Sequence, residues 1–314
     1  MFSTIVISWF FLVGLSLLYV LNDALRRLPV SWVQKLAWIL VVAYTGPLGL
    51  VMYVLCCRSP GPGRHDAYTR ATWKQSVNSE MHCLAGDATG ILLAAVIVSA
   101  FALPNGIDLV IEYVTAYGVG LFVFQALMMA GMYQGNYLLA VRKTIFAETV
   151  SMNMVMIGMI PAMVLLNHYL LPGVEGPLTA KFWFVMSMAT IVGGVTAYPI
   201  NYFLVSKGLK HGCMTVHPED PHKGHRSGET AAPAMQAQPH MEGHAGSEHS
   251  HEPPAHEGHA HVAPHVAPHA GNHEGHTMSQ LPLSVASFYV VATFAAMLAA
   301  GWITSFFAPI QFIR

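Results

Sequence analysis

Between Trp73 and Gly90 the chain reads WKQSVNSEMHCLAGDATG, which carries Glu80, His82, Cys83 and Asp87 directly into an apolar run over 91–103. Ionisable groups at the mouth of a membrane helix are costly to bury, and their default reading is a functional site. On an ideal helix, at about 100° per residue, Glu80, Asp87, Cys83, Gly90, Gly86 and His82 fall within an arc of roughly 160°. Imidazole, thiol and carboxylate on one face make a donor set for a transition metal. A polar helix terminus with one satisfied histidine would explain His82 alone. The four groups together point to a ligand cluster, and the Gly86-x-x-x-Gly90 pair lets a second helix approach it closely.

A second pattern lies in ETVSMNMVMIGMIP, where Glu148, Met152, Met156, Met159 and Met163 recur at i, i+4, i+8, i+11 and i+15. They share an arc of about 80° and span about 22 Å along the helix, most of the hydrocarbon thickness. Thioether sulfur is a soft, uncharged ligand suited to Cu(I), and a ladder of weak ligands is what conduction of a soft ion needs. A single methionine is flexible core filler. Met154 falls off the stripe and Pro161 bends it. Met128 and Met132 in the preceding span, and His211 after the sixth, complete the candidate donors.

From His211 to His276 the chain is rich in His, Pro, Ala, Gly and Glu, and holds fifteen of the 18 histidines. Such a composition cannot bury a core, so disorder is expected. By composition His256, His259, His261, His265, His269, His273 and His276 are loop metal ligands that would concentrate ions near the bundle. A solvated spacer and a pH sensor are the alternatives.

These groups need a membrane scaffold. The 314 residues are 54% hydrophobic and 10% charged, with a mean hydropathy of +0.47, which is the profile of a polytopic membrane protein. Net charge is −1, and no basic block suggests nucleic acid. Four cysteines are too few and too scattered for a disulfide framework. Cys56 and Cys57, at the end of an apolar run, are expected to be inert or lipid-modified.

Hydropathy predicts an all-α bundle of about seven transmembrane helices: 2–21, 34–57 with a break at Gly46-Pro47, 75–103, 109–133, 146–171, 179–205 and 281–307. The implied organisation is a two-helix anchor over 1–71, a four-helix core over 72–213, a His-rich linker over 214–280 and a last helix over 281–314. A cytoplasmic N-terminus and His-rich loop would put ten basic residues inside against five outside, with Arg26-Arg27 dissenting. That places the protein in a prokaryotic cytoplasmic membrane. It also sets Glu80, His82, Cys83, Asp87, Met128, Met132, Glu148, Met152, Tyr198, Asn201 and His211 at one depth, toward the cytoplasmic leaflet.

The stretch LAWILVVAYTGPLGLVMYVLCCR resembles, over one hairpin, the paired-helix anchor ahead of bacterial phospholipase-type synthases. Residues from about 72 to 213 resemble the domain-of-unknown-function family 4396 through MHCLAGDATG, ETVSMNMVMIGMIP and FWFVMSMATIVGGVTAYPINYFLVSKGLKHG. The resemblance implies packed helices, no established activity, and counterparts for His82, Cys83, Gly86, Gly90, Pro199 and Asn201. Its acidic residue near the second glycine varies in place.

The residue chemistry favours a permease or channel-like transporter for a soft transition metal, copper first, with zinc or nickel as alternatives. His82 and Cys83 would be the main ligands, with Glu80 and Glu148 at the entrance. Its partners would be the lipid bilayer, the ion and a metal chaperone. No ATP-binding motif is present. A membrane-anchored metal buffer or sensor, and a haem or metal enzyme using His82 and His211, are the other readings.

Overall fold

The computed structural model describes residues 2–61, 63–101, 103–170, 177–213, 281–308 and 310. The seven loop histidines from His256 to His276, and the expectation of disorder around them, lie outside the described residues. The described chain is an all-α membrane bundle, with six helices long and apolar enough to cross a bilayer.

The element around which the others pack is α5 (Thr72–Val98), 78% of whose apolar window is buried. Its neighbours are α6 (Asn105–Gly118) with its π-helical continuation Val119–Gln125 and α7 (Ala126–Ala130), then α8 (Tyr137–Leu165) and α9 (Ala180–Ser206). Small residues make these contacts close. A Cβ at Gly90 would lie 2.7 Å from the Ala116 nitrogen, and one at Gly86 would lie 3.0 Å from the Gly120 nitrogen. The G-x-x-x-G pair is therefore a backbone-to-backbone seam with α6 at Gly90 and with its π-helical continuation at Gly86. At the far edge, α10 (Leu283–Phe307) has only 6% of its window buried and docks on α8, where Asn153 Nδ2 donates to Thr293 Oγ1 at 3.1 Å.

The second expected span, 34–57, is instead two short helices, α2 (Trp32–Thr45) and α3 (Pro47–Cys56). Gly46 between them has φ +56°, a conformation that glycine adopts freely, and Pro47 starts the second helix. The pair enters the bundle and returns. Asn78 of α5 accepts from Gln34 Nε2 at 3.4 Å near the start of α2 and from Trp38 Nε1 at 3.1 Å midway along it, and donates to the Cys56 carbonyl at 2.9 Å at the end of α3. Along α1 (Phe2–Arg27), Tyr53 donates to Asp23 at 2.8 Å, whereas Gly46 packs on Val13, about 15 Å deeper by helix rise. Among the described residues six helices are thus long and apolar enough to cross a bilayer, and two shorter apolar helices stand where the second span was expected. One face of the pair is covered by protein, with Trp38, Val41, Val42 and Tyr53 buried, and Leu48, Val51 and Leu55 on the other are exposed.

At the end of α9 the chain reverses. Gly208 adopts φ +66°, Gly208 N–H donates to the Val205 carbonyl and Leu209 N–H to the Leu204 carbonyl at 2.8 Å, a glycine-terminated helix cap. The strap 207–213 then folds back over the mouth of the bundle. Leu209 packs with Leu204, Ala147 and Val150, and Cys213 N–H donates to Gln75 Oε1 at 2.9 Å. The backbone seam yields a sharp contrast: Gly90→Ala should lose about 2 kcal/mol by overpacking, while Gly118→Ala, with nothing within 4 Å, should be neutral. Thermal unfolding of the two variants in detergent measures the difference.

Candidate metal centre and buried cation network

Three ligand side chains meet where α3, the short helix α4 (His65–Thr69) and the strap come together. One donor atom each from Cys57, His65 and Cys213 lie within 4.8 Å of one another, and Cys57 and His65 are buried. The cluster can coordinate a metal ion. Each ligand comes from a turn rather than a span: Cys57 follows α3, His65 opens α4, and Cys213 ends the strap. His65 Nε2 lies 2.9 Å from the Cys57 carbonyl oxygen and 3.8 Å from Cys213 Sγ. The Cys57 thiol, acting against burial and helped by the His65 ring, lowers the Cys213 pKa to about 6. Burial disfavours a charged His65, but the Cys213 group beside it raises the ring above its ordinary value. Two thiols and an imidazole form a soft-to-borderline donor set, and a thiolate is the form that binds.

A second cluster lies inside the bundle. Lys210 is 1% exposed, and its Nζ donates to Cys83 Sγ at 2.7 Å and to Asn201 Oδ1 at 3.0 Å, with Glu148 Oε2 at 3.7 Å. Cys83 Sγ donates to Glu148 Oε2 at 3.0 Å, and the Ser151 hydroxyl donates to Asn201 Oδ1 at 2.9 Å. Burial alone would lower the lysine pKa, but Cys83 and Glu148 outweigh it and raise it, so Lys210 is an ammonium. Gly120, in the π-helical segment, completes the pocket. A Cβ there would lie 3.0 Å from Glu148 Oε1 and 3.1 Å from Asp87 Oδ1. Glu148 Oε1 and both Asp87 oxygens are buried with no hydrogen-bond partner among the described residues, as are both amide atoms of Gln125. A wide turn of this kind frequently marks a site.

Cys83, Glu148 and Asn201 are thus brought together, with Asp87 alongside. His82 is buried with neither ring nitrogen hydrogen-bonded. Glu80 instead lines an apolar cavity of about 420 Å³ with Trp73, Leu84 and Tyr198. Met152, Met156 and Met159 are buried in the main core, where Met159 packs on Gly193 of α9. Met163, at the end of the stripe, lines a separate cavity of about 360 Å³ with Asp108, Glu112, Asn167 and His168. Met128 and Met132 belong to a different cluster, with Met129 and Ala140. His211 is half-buried, and Pro199 lies inside α9, two residues before Asn201.

Cys57, expected from its sequence position to be inert or lipid-modified, instead faces His65 and Cys213, and neither those two nor Lys210 stood among the candidate ligands. Lys210 counted only as a loop charge, and the cysteines and His65 are far apart in sequence. Their one local signal was that Cys57 and Cys213 each end an apolar helix region near a histidine.

Residues 72–210 match the family described as Domain of unknown function (DUF4396). No curated protein and no solved structure matches the chain. The matched segment contains every residue of the buried network and none of Cys57, His65 and Cys213. With a pKa of about 6, Cys213 in metal-free protein should lose iodoacetamide reactivity as pH falls through 6, because the thiolate is then protonated. Mass mapping of the alkylated peptide across pH follows this midpoint.

Proposed function

We propose that this protein is a permease for a soft transition metal, copper(I) first, that takes its cargo at the Cys57–His65–Cys213 cluster. The convergence of two thiols and an imidazole from three separate turns carries this reading. A three-ligand sulfur and nitrogen set suits Cu(I), and zinc or nickel follow. The His-rich stretch begins directly after Cys213 in sequence and would raise the local ion concentration, and a soluble metal chaperone is a fitting donor. Beyond the buried network, Met152, Met156, Met159 and Met163 lead along α8 to the cavity with Asp108, Glu112 and His168. That order of groups, from outer ligands through a charged midpoint and a thioether row to a polar opening, supports transport.

The re-entrant pair supports an orientation. With six crossings, both ends of the chain lie on one side, and the turn after α1, the loop over 57–71 and the segment after α9 lie on the other. Of 15 Lys and Arg residues, only Lys181 and Arg314 then fall on the side of the termini. Under the positive-inside rule, the metal cluster and the His-rich stretch are cytoplasmic and the N-terminus is outside. Arg26 and Arg27, which opposed the seven-span orientation, agree with this one.

A membrane-anchored metal buffer or sensor is the second reading, and one observation favours it: the ammonium of Lys210 fills the position beside Cys83 and Glu148. Flux separates the two. Purified without a His-tag, intact protein should bind about one Cu(I) at this cluster, and Cys57→Ser or His65→Ala should lower affinity at least roughly tenfold. In liposomes, Met156→Leu and His82→Ala should reduce Cu(I) uptake while leaving that binding unchanged. Binding without any uptake by intact protein would refute the permease. Deleting 221–278 should slow loading yet leave the cluster's ion in place, and loss of all bound metal would refute the cluster.

A further inference from the structure

We propose that Lys210 is a tethered stand-in for a monovalent soft cation in the Cys83–Glu148–Asp87 pocket, and that the strap 207–213 carries it in and out. The inference rests on the permease reading for the nature of the cargo and adds how its inner site is opened.

Charge and chemistry define the pocket. Two carboxyl groups, Asp87 and Glu148, and one thiol, Cys83, are fully buried there, and Lys210 reaches Cys83 and Glu148. Uncompensated carboxylates at this depth are strongly disfavoured, so a pocket without Lys210 either protonates them or takes another cation, and the buried thiol favours a soft one. The ammonium carries a single positive charge and pairs with Glu148, and a monovalent cation in its place keeps that balance. The thiol sets softness, and Asn201 Oδ1 with the unpartnered oxygens of Asp87 and Glu148 supplies further donors.

The strap's construction explains how Lys210 can leave. It is not part of α9: Gly208 ends that helix in a left-handed turn, and the residues beyond are held by side chains rather than by a helical ladder. Leu209 packs on α8, Lys210 enters the pocket, and Cys213 is fixed to Gln75 and to the His65–Cys57 cluster. One short segment therefore carries both the internal cation and the third metal ligand. An ion bound at the outer cluster holds Cys213, and with it Lys210, in place. Passing that ion on releases Cys213, and the same event frees the strap and opens the inner pocket. Loading outside and closure inside are thus one coupled state.

The test uses full-length protein and Ag(I) as a monovalent soft probe. Lys210→Met should bind one more Ag(I) per chain than the parent, and the additional ion should vanish in Lys210→Met/Cys83→Ser. Equal silver binding by parent and Lys210→Met would overturn the proposal. A second arm keeps Lys210: Cys213→Ser should raise alkylation of Cys83 by N-ethylmaleimide roughly tenfold, since access then follows local opening. An unchanged Cys83 rate would overturn it as well. His65→Ala/Lys210→Met separates this idea from the outer cluster. If intact protein binds no metal at Cys57–His65–Cys213, the permease reading fails, and the additional silver ion in the Lys210 variants still decides the inner pocket.

Discussion

A single ammonium sealed among α5, α8 and α9 constrains most of what surrounds it. In a low-dielectric bundle Lys210 persists only with acidic and polar partners in place, and removing one partner of such a pair typically costs about 3–5 kcal/mol. Cys83 and Glu148 therefore have to face each other, Ser151 and Asn201 have to close the remaining hydrogen bonds, and the strap has to bend sharply enough to aim the lysine inward. Glycines allow this geometry: Gly120 leaves room for two carboxyl groups, and Gly208 supplies the reversal.

The outer cluster and the inner network differ in how they are built. Inner residues lie on long helices whose mutual packing is set by the Gly86 and Gly90 seam, so their positions follow from the core. Cys57, His65 and Cys213 lie on turns whose positions depend on the re-entrant pair and on the strap. The two sites therefore need not share an origin, and the limits of the family match fall between them. Asn78 links them mechanically, because it ties Gln34 and Trp38 of α2 and the Cys56 end of α3 to the helix that carries Cys83.

Much of the bundle was legible in the sequence because hydropathy and small-residue spacing are local signals. The apolar runs marked the long helices, and the face bearing Cys83, Gly86, Asp87 and Gly90 turns toward protein. Two things were not local. Hydropathy reads 34–57 as one apolar run, since its window is blind to a reversal at Gly46, where the direction is set by a positive φ and by Asn78 more than 30 residues away. Lys210 looked like an ordinary loop charge because its burial is created by the turn at Gly208 and by partners on three helices. The methionine stripe has the inward direction that its spacing implied through Met159, and it is packed core over that length.

The returning pair α2 and α3 has a consequence for the surrounding lipid. The pair reverses at Gly46 against Val13 of α1, and close by Trp9 of α1 meets Phe184 of α9 edge-on at 6.2 Å. In a bilayer, a pair that reverses at Gly46 would displace more acyl chain from one monolayer than from the other, so lateral pressure would act unequally on the two halves of the bundle.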